Sequence, residues 1–169
     1  MPIPALFALI FPAALVWAAI SDIRSMTISN RLTVGLALAF LPMAVLCHLS
    51  LAQFGIHAGL GVAGLVVGMI LFAFRIMGGG DAKLIAAVCL WLGPNGALSM
   101  LLYTALAGGV LTLVLLGARR APIAAVTGAL PQWVNRHLDP KGDIPYGVAI
   151  CIGGLVAIGQ CDLLPLLGL

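Results

Sequence analysis

Two aspartates lie at the ends of long uncharged stretches of the chain, Asp22 and Asp81. An ionisable side chain at membrane depth is costly, so each is a candidate functional group. If folding makes the two carboxyl groups neighbours, they cannot both ionise easily and hold one proton between them. The ionised member can take a proton from water, while the protonated member can hydrogen-bond a carbonyl and later protonate a leaving amine. Such a pair can carry out acid–base hydrolysis of an amide.

The other acids have simpler explanations. Asp139 and Asp143 lie beside Lys141 in a polar stretch, which is typical of solvated loop charge. Asp162 lies near the outer end of the last apolar stretch and is expected at an interface. The pair Asp22 and Asp81 is therefore the stronger candidate.

Histidine and cysteine offer no second catalytic or metal centre. His48 and His57 are expected near the outer ends of apolar stretches, where interface placement explains them, and His137 is expected in a loop without the partners of a catalytic triad. The four cysteines form no C-x-x-C pair. Neither a bound metal nor another cofactor is expected.

Composition restricts the class of protein that holds these groups. Hydrophobic residues make up 63% of the 169 residues and charged residues 8%, against about 45–50% and about 25% in soluble domains. This excludes a soluble globular enzyme, a disordered chain and a nucleic-acid-binding module. The net charge of +3 is too small to indicate a nucleic-acid partner. We expect one domain over residues 1–169, an all-α polytopic membrane protein in contact with lipid.

The uncharged stretches predict about six transmembrane helices, since one crossing needs roughly 20 residues. Residues 3–20 form one span. Residues 32–74 carry no Asp, Glu, Lys or Arg and are long enough for two spans. Residues 84–118 hold two more, and the last begins near Tyr146.

Two breaks divide the longer stretches. We place the first near 53–57, the most polar point of its stretch, and the second at the turn signal 93–96, which reads GPNG. The segment 84–93 is short for a crossing unless its helix begins near Gly78 and carries Asp81 in the first turn.

Charge predicts the orientation of these spans. All eight Lys and Arg residues fall in the loops 21–31, 75–83 and 119–144, and such loops face the cytoplasm. Both termini are then outside, and both aspartates lie on the cytoplasmic face. The loop 119–144 mixes apolar residues with cations, which indicates a short helix on the membrane surface, either a docking lip for a membrane substrate or a plain connector.

Glycine is concentrated at two places. Gly78 to Gly80 precede Asp81 and permit close approach by another chain, although they also suit a flexible connector. Four glycines recur at near-helical spacing in the third predicted span, where they pack the protein's own helices or a substrate helix: Gly59, Gly61, Gly64 and Gly68. Packing between the protein's own helices is the simpler interpretation.

Three short stretches resemble the motifs of type IV prepilin peptidases: 22–30 (DIRSMTISN), 78–83 (GGGDAK, against G-x-G-D-x-K) and 145–147 (PYG). Their order and spacing match over nearly the whole chain. The resemblance implies an aspartic intramembrane endopeptidase of the bacterial inner membrane. Such an enzyme removes the short cationic leader of prepilins or pseudopilins at the cytoplasmic face, with the substrate helix as its partner.

The resemblance also implies roles for individual residues. Asp22 and Asp81 would be the catalytic pair, and five motif neighbours would support them or the substrate: Arg24, Asn30, Gly78, Gly80 and Lys83. For Lys83, snorkelling of the side chain to the interface is an equal alternative. The chain lacks the N-terminal region with paired C-x-x-C motifs found in longer members. It resembles the short form associated with tight-adherence (Flp-type) pili, in which neither zinc nor N-methylation is expected.

Two other functions remain open at this stage. A small cation- or proton-coupled transporter would place acids near the bilayer midplane, whereas here they lie at one face. A noncatalytic membrane subunit of a pilus assembly would not need two acids on one face. The substrate pilin, its cleavage residue and the oligomeric state are not predicted by the sequence.

Overall fold

The structure is a computed structural model that describes residues 9–120, 131–140 and 142–163. In these ranges the chain forms helices and no strand: α1 (Ile10–Ser25), α2 (Asn30–Leu46), α3 (Leu51–Ala73), α4 (Gly79–Arg120), α5 (Gln132–Leu138), α6 (Tyr146–Ala157) and a 3-10 turn, Ile158–Gln160. The all-helical prediction is confirmed for this part. The start of the first predicted span, residues 121–130 and 141 of the predicted loop 119–144 and the end of the last span lie outside the described residues.

Within the described residues, two helices are long and apolar enough to cross a membrane, α3 and α4. The apolar helix α2 and the apolar segment Tyr146–Gln160 are shorter. Of the 23 residues of α3, the only two that are buried are His57 and Gly68. The remaining surface of α3 is largely aliphatic, and such a surface suits lipid rather than water.

The helix α4 consists of two helical halves joined at Gly93. Gly93 has φ +72° and ψ −175°, a conformation outside the helical region that is essentially restricted to glycine. Pro94 follows and begins the second half, as proline suits the first turn of a helix. The predicted break at 93–96 is confirmed.

A side chain and a backbone N–H from other elements satisfy two carbonyls near this break. The ring Nδ1 of His57 donates to the Leu90 carbonyl at 2.8 Å, and the backbone N–H of Asp162 donates to the Leu92 carbonyl at 3.2 Å. The Asp162 carboxylate accepts from the Asn95 amide at 2.7 Å. His57 is therefore a buried capping residue, 3% exposed, and the prediction that it lies at the interface is wrong.

The first half of α4, residues 79–92, runs the full length of the bundle. At one end Asp81 shares a cavity with Tyr146, where α6 begins. Midway, Gly154 of α6 lies against Val88. At the other end Leu92 bonds to Asp162, after α6 has ended. The helix begins at Gly79 with Asp81 in its first turn, as the sequence required for a full-length segment.

The break between α2 and α3 differs from the prediction. We expected it near 53–57, but α2 ends at Leu46 and α3 begins at Leu51. Ser50 caps α3, because its hydroxyl accepts from the Gln53 N–H while the Gln53 side chain accepts from the Ser50 N–H. Gln53, the first residue of the predicted break, completes a capping box with Ser50. Residues 53–57 therefore lie in the first turns of α3 and do not form the loop.

Glycines of α3 let it pack closely against α4. Alanine in place of Gly61, Gly64 or Gly68 would bring a Cβ within 2.8–3.4 Å of α4 atoms, whereas a Cβ at Gly59 would meet nothing within 4 Å. Packing between the protein's own helices is confirmed for three of the four glycines. The core between the helices is apolar, with fully buried side chains that include Leu15, Phe40, Leu84, Val88, Met100 and Ile150.

We expect Gly68→Ala to destabilise the protein by about 1–3 kcal/mol, because overpacking at a rigid contact has that cost. The added Cβ would lie 2.8 Å from the Cβ and 2.9 Å from the Cα of Ala82. The matched control is Gly59→Ala, which should be neutral or stabilising by up to about 1 kcal/mol through helix propensity. Unfolding of both variants in mixed micelles, titrated with a denaturing detergent, measures the difference. Equal stability of the two variants would contradict the close contact between α3 and α4.

Candidate active site

Asp22 lies in the last turn of α1 and is 6% exposed. The C-terminal end of a helix disfavours negative charge, so this carboxylate needs donors from elsewhere. The backbone N–H of Gly147 donates to its Oδ2 at 2.7 Å. Gly147 is in the first turn of α6, and the residue before that helix, Pro145, provides no side-chain cap. Asp22 therefore accepts from a first-turn N–H that α6 itself leaves free.

Asp81 lies in the first turn of α4 and is 9% exposed. Its Oδ2 accepts from the backbone N–H of Gly78 at 3.2 Å. A carboxylate at this position reaches back to the start of its own helix, where the helix dipole favours negative charge. Each aspartate is therefore held by a backbone N–H at the start of a helix, Asp81 at α4 and Asp22 at α6.

The two carboxyl groups line one cavity of about 310 Å³. Two carboxyl groups that share a cavity repel each other when both are ionised. The remaining walls come from the end of α1, the segment joining α3 to α4 and the residues at the start of α6: Met26, Phe72, Arg75, Ile76, Met77, Gly78, Asp143, Ile144 and Tyr146. Asp22 and Asp81, 59 residues apart in the chain, thus meet at one end of the bundle.

This arrangement can do general acid–base chemistry. Two buried carboxyl groups that repel one another as anions favour a state with one shared proton. In that state one carboxylate can remove a proton from water and the other carboxyl group can donate a proton. A cavity of about 310 Å³ has room for water beside the pair.

The glycines of the second motif serve close approach at two different contacts. A Cβ on Gly78 would lie 2.9 Å from the Asp81 carboxylate. A Cβ on Gly80 would lie 3.1 Å from the Cβ of Ile28, in the segment between α1 and α2. Gly78 therefore allows the Asp81 hydrogen bond, and Gly80 allows the first and second motifs to pack together.

The other predicted motif residues do not line the cavity. Lys83 Nζ donates to the Asn30 side-chain oxygen at 2.8 Å, which ties the start of α2 to α4. Arg24 is exposed in the last turn of α1. Their placement favours a structural role for Lys83 and Asn30, and leaves Arg24 on the surface next to the site.

Several groups near Asp22 and Asp81 were not predicted from the sequence, or lie in surroundings other than those predicted. Asp143, expected as solvated charge, is exposed and also lines the cavity, together with Arg75. His137, expected in a loop, lies in α5, is 8% exposed and bonds to the Ile23 carbonyl. The hydrogen bond between Gly147 and Asp22 joins positions 125 residues apart, and only the PYG motif gave a signal for it.

Comparison with known proteins gives one match. The family model described as the type IV leader peptidase family matches residues 9–113. This range includes α1 with Asp22 and the start of α4 with Asp81. No curated protein and no solved structure matches the chain.

Proposed function

Because the chain belongs to the type IV leader peptidase family, we propose that it is an aspartic endopeptidase that removes the leader of prepilins or pseudopilins. Asp22 and Asp81 are the catalytic pair in this proposal. One of them takes a proton from water, and the water oxygen bonds to the scissile carbon while the other, protonated member hydrogen-bonds the carbonyl oxygen. The protonated member then gives its proton to the leaving amine as the C–N bond breaks. The pair ends with one proton, the one taken from water, and is ready for another cycle.

A single observation carries the proposal. Two buried aspartates, from helices distant in sequence, line the same cavity at one end of an apolar helical bundle. A transporter would place such acids along a path through the bundle. Here Asp162 lies at the opposite end of the bundle, where its backbone N–H donates to Leu92 and its carboxylate accepts from Asn95.

The position of the cavity fits the proposed substrate. A prepilin is an apolar helix with a polar cationic leader, and its scissile bond lies at the boundary between lipid and cytoplasm. The cavity opens at the end of the bundle that carries Arg24, Arg75 and Lys83, the end that the charge distribution assigns to the cytoplasm. We accordingly propose a multi-pass protein of the bacterial inner membrane whose site faces the cytoplasm.

The substrate class within the family is also proposed. The proposed substrates are those of tight-adherence (Flp-type) pili, as the resemblance to the short form of the family implies. In this form we propose leader cleavage without zinc, cofactor or N-methylation. The partners are the substrate helix and surrounding lipid, and Arg24 is a candidate contact to the substrate.

Cleavage of a prepilin by the protein in bacterial membranes tests the proposal directly. The substrate should carry a Flp-type cationic leader and its apolar helix, and mass spectrometry should show one cut at their junction. Membranes of the same host without the protein provide the background. Addition of a chelator should not change the rate.

A second measurement addresses the alternatives. The purified protein in proteoliposomes should not dissipate a proton gradient. Gradient dissipation without cleavage would favour the transporter. If the protein shows no proton flux and cleaves none of a panel of prepilins with different leaders, the noncatalytic subunit is favoured.

A further inference from the structure

The short helix α5 is attached to the bundle through one histidine. His137 is the one buried residue among the seven residues of α5, and it is 8% exposed. Buried histidines are held by hydrogen bonds, because an unpaired polar ring is costly to bury. A helix that buries a histidine in place of an aliphatic residue uses the ring for a polar contact.

That contact is made to the turn of α1 that carries Asp22. His137 Nε2 lies 2.8 Å from the Ile23 carbonyl, and since a carbonyl can only accept, Nε2 carries the hydrogen and donates. The last four carbonyls of a helix have no partner within the helix. The Asp22 carbonyl is satisfied by the Met26 N–H at 2.8 Å, and the next carbonyl, that of Ile23, is satisfied by His137.

The bonded carbonyl belongs to the residue next to Asp22 in the chain, so the ring lies beside the turn that carries this carboxylate. His137 does not line the cavity that holds Asp22 and Asp81. The ring can therefore act on the aspartate through the backbone of α1, and it does not reach a substrate in the cavity.

A second tie keeps α5 in place. Arg119, at the end of α4, donates from Nε to the His137 carbonyl at 2.9 Å and from Nη2 to the Asp143 carbonyl at 3.0 Å. Gly142 lies against the same guanidinium group. Arg119 thus joins α4, α5 and the segment before α6, and it holds the backbone of His137 beside the end of α1.

We propose that His137 is a positioning residue for the Asp22 carboxyl group, which it aims into the cavity by capping the Ile23 carbonyl. The proposal rests on the proposed peptidase function for its consequence in catalysis, but the capping contact does not depend on that function. Without the N–H donor, the last turn of α1 loses a hydrogen bond and the Asp22 side chain samples orientations away from Asp81.

The test compares His137→Ala with His137→Gln, because glutamine retains an N–H donor at similar reach. We expect His137→Ala to lower kcat for prepilin cleavage by about tenfold, the scale of one buried hydrogen bond, with KM changed by less than about twofold since the ring does not line the cavity. His137→Gln should restore most of kcat. The control is His48→Ala, an exposed histidine between α2 and α3, which should leave kcat unchanged.

Hydrogen exchange of the full chain in micelles gives a readout that needs no cleavage. Amides of residues 22–26 should exchange faster in His137→Ala than in wild type and return to the wild-type rate in His137→Gln. Unchanged exchange at these residues, wild-type kcat in His137→Ala, or failure of glutamine to restore both would each overturn the inference. Failure of the wild type to cleave any prepilin would instead count against the proposed function, and exchange alone would then decide the role of His137.

Discussion

Asp22→Asn and Asp81→Asn should each lower the rate of prepilin cleavage by roughly 10²- to 10⁴-fold, the usual effect of removing a general acid or base. Asparagine keeps the size of the side chain and can still accept from the Gly147 or Gly78 N–H. It can neither take a proton from water nor release one to a leaving amine. The expected loss is therefore in kcat, with substrate binding largely retained.

The double variant distinguishes a catalytic pair from two independent groups. Groups that act as a unit show strongly non-additive effects, because the first substitution already disables the unit. We expect the double variant to be about as slow as the slower single variant. If the double variant instead lost the product of the two single fold-losses in rate, a shared proton between Asp22 and Asp81 would be contradicted.

Stability should change in the opposite direction from activity. Two buried carboxyl groups that repel one another are costly to fold, and replacing a buried charge by a neutral group that keeps its hydrogen bond is often neutral or stabilising. Both asparagine variants should unfold at or above the wild-type temperature in micelles. The control Asp162→Asn, at the opposite end of the bundle, makes the same chemical change and should leave the cleavage rate unchanged.

Local signals in the sequence predicted the parts of the fold that depend on neighbouring residues. Gly93 and Pro94 marked the break between the two halves of α4. The backbone conformation at position 93 is essentially restricted to glycine. The short segment 84–93 could cross only if its helix began near Gly78 with Asp81 in the first turn, and α4 does begin there. In both cases the residues that determine the structure are adjacent in the chain.

Polarity was a weaker guide to helix ends. The predicted break at 53–57 followed the most polar residues of the stretch, yet these residues lie inside α3. Gln53 is used in the capping box with Ser50, and His57 is bonded to Leu90. A hydropathy minimum marks a loop only when its polar groups have no partner within the bundle, and the S-x-x-Q pattern was the better signal here.

Contacts between distant elements could not be predicted from local pattern. Asp22 meets Gly147 across 125 residues, and His137 meets Ile23 across 114 residues. Parity of the spans placed Asp22 and Asp81 at the same end of the bundle. It carried no information on which backbone N–H groups hold the carboxylates, since those groups come from helix starts brought together only by packing.

Gly147→Ala is expected to reduce cleavage per folded molecule by about 10²-fold, comparable with other misplacements of a catalytic group by about 1 Å. The added Cβ would lie 2.9 Å from both the Cβ and Oδ2 of Asp22. The carboxylate oxygen could turn away only by breaking the Gly147 hydrogen bond, and the Asp22 Cβ is attached directly to the backbone of α1. The start of α6 and the end of α1 must therefore separate, which moves Asp22 relative to Asp81.

A matched control lies on the same helix. In Gly153→Ala the new Cβ would lie 2.7 Å from the Met100 carbonyl and would also clash with Thr104, far along α6 from the aspartates. Both variants should lose about 1–3 kcal/mol of stability through overpacking, but only Gly147→Ala should lose kcat once the rate is corrected for the folded fraction. Wild-type kcat in folded Gly147→Ala would mean that cleavage does not require Asp22 to be held by the start of α6. An equal loss of kcat in both variants would attribute the effect to destabilisation of α6 as a whole. A loss of kcat in Gly147→Ala alone would explain the PYG motif in physical terms. The motif would provide a helix start with a free N–H for Asp22, and a glycine there would let the aspartate approach.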